Sequence, residues 1–169
     1  FNSEAELVEL NLLNKQIIEP KATTRAVLQG NLDAGYQEKE TFSVPITIYD
    51  TLGNAHDVKA IFTKGTTTQN STTWTVSFTS DSGQINKTAT LTFGSNGRLT
   101  STENIVELEL ALNGNRGVEN PKFTVDLSNI TMYASDSSVK AKAVDGYKAG
   151  TLSSFSIGSD GIITGIYSN

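Results

Sequence analysis

The chain has 169 residues, 13 basic and 18 acidic side chains, a formal net charge of −5 and one histidine. Its Lys and Arg residues form no run, so it offers no patch for a phosphate field, and neither nucleic acid nor membrane is expected as a partner. Cysteine is absent, which excludes a disulfide framework and thiolate metal sites and leaves stability to packing.

No stretch approaches the roughly 18 to 20 consecutive apolar residues of a spanning helix, and no charged-then-apolar leader is present. The sequence starts at Phe1 and stops at Asn169 with no closing element, and is expected to be an excised piece of a longer protein. In residues 5–19, Val8, Leu10 and Leu12 alternate with Glu9 and Asn11, which favours strand over helix. Pro20 ends that run and biases Glu19 towards extended geometry. Residues 22–32 read as a strand closing at Gly30-Asn31, and residues 34–40 as a polar loop.

The clearest element is a hairpin. Val44, Ile46 and Ile48 alternate with Pro45, Thr47 and Tyr49, Asp50 to Asn54 supplies turn chemistry, and Val58, Ala60 and Phe62 resume the alternation. Pro45 cannot donate to a ladder, so its strand is expected at an edge, or its missing donor on the unpaired side. Residues 63–73 read as a long Thr-rich loop or flexible tip. Trp74, Val76 and Phe78 then form one apolar face, followed by a turn at Asp81-Ser82-Gly83.

Ala89, Leu91 and Phe93 alternate next, then turn at 94–97. Val106, Leu108 and Leu110 alternate with Glu107 and Glu109, and Phe123, Val125 and Leu127 with Thr124 and Asp126. Residues 128–139 read as a loop anchored by Ile130, Met132 and Tyr133. From Val144 a hairpin follows, with Leu152, Phe155 and Ile157 before a 158–161 turn. Short strands with turn signals at each joint imply an all-β, antiparallel β-sandwich or barrel-like domain.

Reactive groups find no convincing setting. His56 stands beside Asp57, but neighbours on a strand point to opposite faces, so Asp57 cannot orient His56 as a base. His56 is expected to hydrogen-bond the turn, and its replacement by Ala to cost a modest loss of hairpin stability. Asp50, Asn54, Asp57, Asp81, Asp136 and Asp160 fit no calcium-loop spacing. Glu107 and Glu109, with Glu103 nearby, form a solvent face rather than a glycosidase pair. Gly114-Asn115-Arg116-Gly117 lacks the strand–turn–helix setting of a phosphate cradle. Asn70-Ser71-Thr72, Asn86-Lys87-Thr88 and Asn129-Ile130-Thr131 match a glycosylation pattern that a Thr-rich chain produces by chance. Trp74 reads as core rather than a sugar platform. No enzyme, cofactor or metal is expected.

Three segments carry a family resemblance. Tyr49, Asp50, Gly53, Asn54, His56 and Asp57 lie in a Tyr-Asp-x-x-Gly-Asn-Ala-His-Asp run that resembles a hairpin in the outer domain of bacterial flagellar hook proteins. Pro20-Lys21-Ala22-Thr23-Thr24 with Gly30-Asn31-Leu32-Asp33 resembles that family's way into the domain. Asp145-Gly146-Tyr147-Lys148-Ala149-Gly150-Thr151-Leu152, with 161–165 and 167–169, resembles the way out. The resemblance implies an outer β domain over 22–145, inserted between strands of a neighbouring β domain, with an inner-domain strand at 1–21 and hairpin at 146–169. It also implies a structural, extracellular subunit. Copies of it would form a helical, flexible tube that transmits motor torque to the filament, alongside rod, hook-junction and cap proteins. A β-sandwich adhesin or carbohydrate-binding module is the alternative.

Overall fold

In the computed structural model, the structure describes residues 17–114, 116–157 and 163–167, and side chains as far as residue 150. Its regular elements are all strands. They begin with β1 (Ile17–Ile18), β2 (Arg25–Asn31), β3 (Thr41–Tyr49), β4 (Ala55–Thr67) and β5 (Ser71–Ser80). There follow β6 (Gly83–Gln84), β7 (Thr88–Gly94), β8 (Ile105–Glu109) and β9 (Ala111–Leu112). The last are β10 (Lys122–Thr131), β11 (Lys140–Val144), β12 (Gly150–Ile157) and β13 (Ile163–Tyr167). Residues 5–16 of the first expected strand, and the 158–161 turn, lie outside the described residues.

Three sheets result. A six-stranded sheet has the order β3-β4-β5-β6-β9, with β7 also on β5; a four-stranded sheet runs β11-β2-β10-β8; a small sheet runs β1-β12-β13. The two larger sheets share one core, to which Leu28, Val44, Ile46, Phe62, Trp74, Leu91, Val106 and Val125 all contribute. Period-two alternation builds it: Val44, Ile46 and Ile48 are buried while Pro45 and Thr47 face out. β3 is an edge strand, which accommodates the missing donor of Pro45. The chain changes sheets at Leu110, a fully buried residue between β8 and β9 whose N–H donates to Pro121 O at 2.9 Å.

Several segments differ from the sequence reading. Residues 63–73 are no long loop, because β4 continues to Thr67 and β5 starts at Ser71. Lys64 extends the buried face of β4 by one more step, opposite Trp74. β10 likewise continues through Thr131, with a register shift between Asp126 and Asn129. Asp126 lies at that irregularity, level with the exposed Ile105, and is buried on the outer face where Ser128 and Arg25 hydrogen-bond its carboxylate. Tyr133, expected as a buried anchor, is 44% exposed, whereas Ile130 and Met132 are buried. β11 adds a strand at Lys140–Val144 beside β2. Finally, β2 and β10 pair in parallel. The whole six-stranded sheet separates them in sequence, so no tight turn forces opposite directions.

Candidate functional site

The hairpin turn is built around a buried carboxylate. Asp50 is 1% exposed. Its Oδ1 accepts the Leu52 and Asn54 amide hydrogens, both at 2.9 Å, and its Oδ2 accepts from Asn54 Nδ2 at 3.1 Å. An Asp whose side chain gathers the amides two and four residues on fixes a turn of this kind, and Gly53 supplies the positive φ of 88° that it needs. His56 is 2% exposed on the same buried face as Val58 and Ala60. Its Nε2 lies 2.8 Å from Asp50 Oδ2 and its Nδ1 lies 2.9 Å from Ser82 Oγ.

An ionised Asp50 can only accept, so Nε2 carries the proton, and a neutral His56 then takes a hydrogen bond from the Ser82 hydroxyl at Nδ1. Burial pushes the Asp50 carboxyl up, but the donors on it, His56 foremost, outweigh that and hold it below the usual carboxylate range. The relay continues through Ser82 N–H to Ser80 Oγ, and from Ser80 Oγ–H to Asp57 O. It therefore ties the β3–β4 turn to the β5–β6 turn.

Asp50, His56 and Ser82 reproduce the partners of a catalytic triad, yet the surroundings differ from what acyl transfer requires. The Ser82 N–H is engaged by Ser80 rather than aimed at a developing oxyanion. Asp57 faces solvent and accepts from Thr47 Oγ1 at 3.2 Å, the opposite-face placement that its position next to His56 predicts.

Beside the turn, the two ends of the body meet. Lys21 and Tyr147 form an antiparallel bridge, and β1 pairs β12 through Ile17↔Thr151 and Ile18↔Gly150. Asp145 closes the junction. Its Oδ1 accepts the Thr24 and Arg25 amide hydrogens at 2.8 and 2.9 Å, and its Oδ2 takes Lys21 Nζ at 2.8 Å together with the Thr24 hydroxyl. Burial acts to raise the Asp145 carboxyl, and these donors, led by Lys21 and Thr24, drive it well below the usual range.

Thr23 links the junction to the hairpin. It exchanges backbone and side-chain hydrogen bonds with Tyr49, each 3.0 Å, and its hydroxyl donates to Asp145 O. Gly53 rests against the same place: a Cβ there would lie 2.9 Å from Pro20 Cβ and 3.0 Å from Ala149 N. Thus Pro20–Thr24, the Tyr49–Gly53 turn and Asp145–Ala149, one stretch from each resembling segment, converge on one locus. Ser82 and the roles of Thr23 and Asp145 were not legible beforehand, since their partners lie 26 to 124 residues away.

The other candidate groups do not converge. Glu107 and Glu109 are exposed, opposite buried Val106 and Leu108. Glu103 and Glu107 border a groove of about 720 Å³ between β7 and β8 whose other walls are mainly Thr side chains. Among the described residues, no group of three or more His, Asp or Glu could hold a metal ion. Trp74 is fully buried, with Nε1–H donating to Met132 Sδ at 3.2 Å, so it forms no sugar-stacking platform.

This arrangement defines an all-strand domain held at a junction of its own two ends, with its polar networks spent on fixing turns and crossings. The sequence matches the family described as flagellar basal body protein FlaE D2 domain over residues 12–147, and the chain belongs to that family. It is 31% identical over 159 residues to the flagellar hook protein FlgE of Escherichia coli K12, a match covering 93% of this chain and 37% of that protein. It is 33% identical over 168 residues to the flagellar hook protein FlgE of Salmonella typhimurium, covering 88% of this chain and 40% of that one. The chain therefore spans well under half the length of these curated relatives. Among solved structures, the crystal structure of Helicobacter pylori flagellar hook protein FlgE2 aligns with 75% of this chain and 31% of its own, at TM-score 0.47 and 17% identity.

Proposed function

We propose that this chain is the outer part of a flagellar hook subunit, lying outside the cell and assembling with copies of itself into a flexible tube that passes motor torque to the filament. The observation that carries this reading is the match to proteins named flagellar hook protein along nearly nine-tenths or more of the chain. Identical subunits joined by head-to-tail contacts that do not close generate an open helix. Bending requires some contacts to slide, and polar, wet surfaces exchange partners at small cost where a large dry one would lock. Among the described residues, the exposed large apolar side chains Ile17, Leu52 and Tyr147 belong to the segments that meet at the junction, while Ile105 and Tyr133 lie elsewhere on the body.

Within this reading, residues 22–145 are the outer domain, 1–21 and 146–169 belong to an inner domain, and the Tyr49–Asp57 turn braces the passage between them. The partners are further copies together with rod, hook-junction and cap proteins, and the role is mechanical rather than enzymatic. Immunogold labelling of flagella sheared from the source cells, with antibody raised against this chain, tests the proposal. Label along the short curved segment next to the basal body is expected; label along the filament, or none on flagella, would refute it.

A further inference from the structure

Lys64 is the one lysine or arginine in the buried class among the described residues, at 8% exposure. Its Nζ donates to two backbone carbonyls, Ala34 O at 2.8 Å and Tyr36 O at 2.6 Å. An ammonium has three hydrogens, and no carboxylate lies within ion-pair distance of it among the described residues. Two carbonyl dipoles satisfy two donors but do not neutralise a charge, and a charge taken out of water is costly until a counter-charge meets it. Glu40 and Asp33, on the loop that supplies those carbonyls, turn an oxygen to local amides instead: Glu40 Oε1 accepts the Gln37 amide and Asp33 Oδ1 that of Gly35.

Lys64 also lines a groove of about 460 Å³ at the β4–β5 end of the body. Thr67, Thr68, Ser71, Thr72 and Ser95 line it too, a wall rich in hydroxyls, as does Met132. An ammonium with a spare donor in a groove so lined is matched to an acceptor-only anion of small size. We propose that this groove is a carboxylate-binding site in which Lys64 supplies the charge. Its occupant is a side-chain carboxylate from a second copy of this chain, a molecule with 18 acidic residues against 13 basic ones. That choice of occupant rests on the self-assembly proposed above, whereas the site itself does not.

The molecule carries its own reporter. Trp74, the single tryptophan, is the cross-strand partner of Lys64 and bonds Met132 of the groove. Sodium acetate at pH 7, titrated against sodium chloride at equal ionic strength, is expected to shift Trp74 emission saturably, with half-saturation on the order of 10 mM. Lys64→Met keeps the apolar stem and should weaken the response at least tenfold while preserving the near-ultraviolet circular dichroism. Equal responses to acetate and chloride, or a full response in Lys64→Met, would overturn the site. Should that variant not fold, the ¹³Cε shift of Lys64 in the wild-type chain decides, since a resonance indifferent to acetate is equally fatal. The source is read separately: the same signal moving as the protein itself is concentrated supports a second copy, and movement with acetate alone rejects that occupant while leaving the hook reading untouched.

Discussion

His56 shows how burial changes the weight of a residue. From sequence it belongs to the turn, with little at stake in its loss. In the structure it is packed away with Asp50, and removing one partner of a buried pair leaves the other uncompensated. His56→Ala is therefore expected to destabilise by about 1.5 to 3 kcal/mol, the range for a hydrogen bond to a charged acceptor, measured by urea unfolding; a loss below about 0.5 kcal/mol would show that water substitutes for the imidazole. The alternation that places His56 inward with Val58 was legible, as was the outward Asp57. Its partner Ser82 was not, because nothing in local periodicity joins residues 26 positions apart.

Asp145 acts at the same scale with a pH signature. Its folded carboxyl is depressed, as are those of Asp50 and Asp126, so each contributes stability that is fully present above the unfolded value near 4. That contribution disappears as pH falls through the lower folded values. Thermal unfolding between pH 6 and 2 should show stability falling below about pH 4, with a shallower fall in Asp145→Asn. At pH 7 the same substitution is expected to cost about 2 kcal/mol, as hydrogen bonds to a charged acceptor are exchanged for weaker ones. A variant with an unchanged acid profile would mean that Asp145 does not differ between the folded and unfolded chains.

Among elements, the hairpin and the Trp74 strand followed their patterns because apolar residues at period two identify a buried face without further information. Two misread stretches carry a buried polar residue. Lys64 ends the legible part of β4, held by the carbonyls of Ala34 and Tyr36 in the loop after β2, and Asp126 sits at the irregularity of β10, held by Arg25 of β2 and by Ser128. β11 was missed because Lys-Ala-Lys-Ala-Val offers too little apolar bulk to mark a face. The parallel pairing of β2 with β10 was beyond reach as well, since a period of two is the same read either way. Gly53 offers a test at this level. Gly53→Ala places a Cβ against Pro20 and Ala149 at positive φ, and should lower stability by about 1 to 3 kcal/mol. Amide exchange accelerated at Thr23, Tyr49 and Lys21, more than in the Trp74 strand, would locate that loss at the junction; uniform acceleration would contradict the local bracing described above.

For the whole molecule, the acidic balance predicts weak self-contact. The chain is expected to sediment as a monomer at micromolar concentration, and a tight oligomer there would argue against exchangeable contacts as the basis of a bending tube. All-β class, edge placement of β3 and the meeting of the two ends were each readable in advance, the last through resemblance rather than through residue chemistry.

The side-by-side ends also set the path of a mechanical load. Because β1 and β12 run antiparallel beside the Lys21–Tyr147 bridge, tension drawing Ile17 and Thr151 apart peels the ladder open one rung at a time, starting from that pair. The Asp145 clasp comes last in that series, so the body behind it bears no strain until every rung has parted.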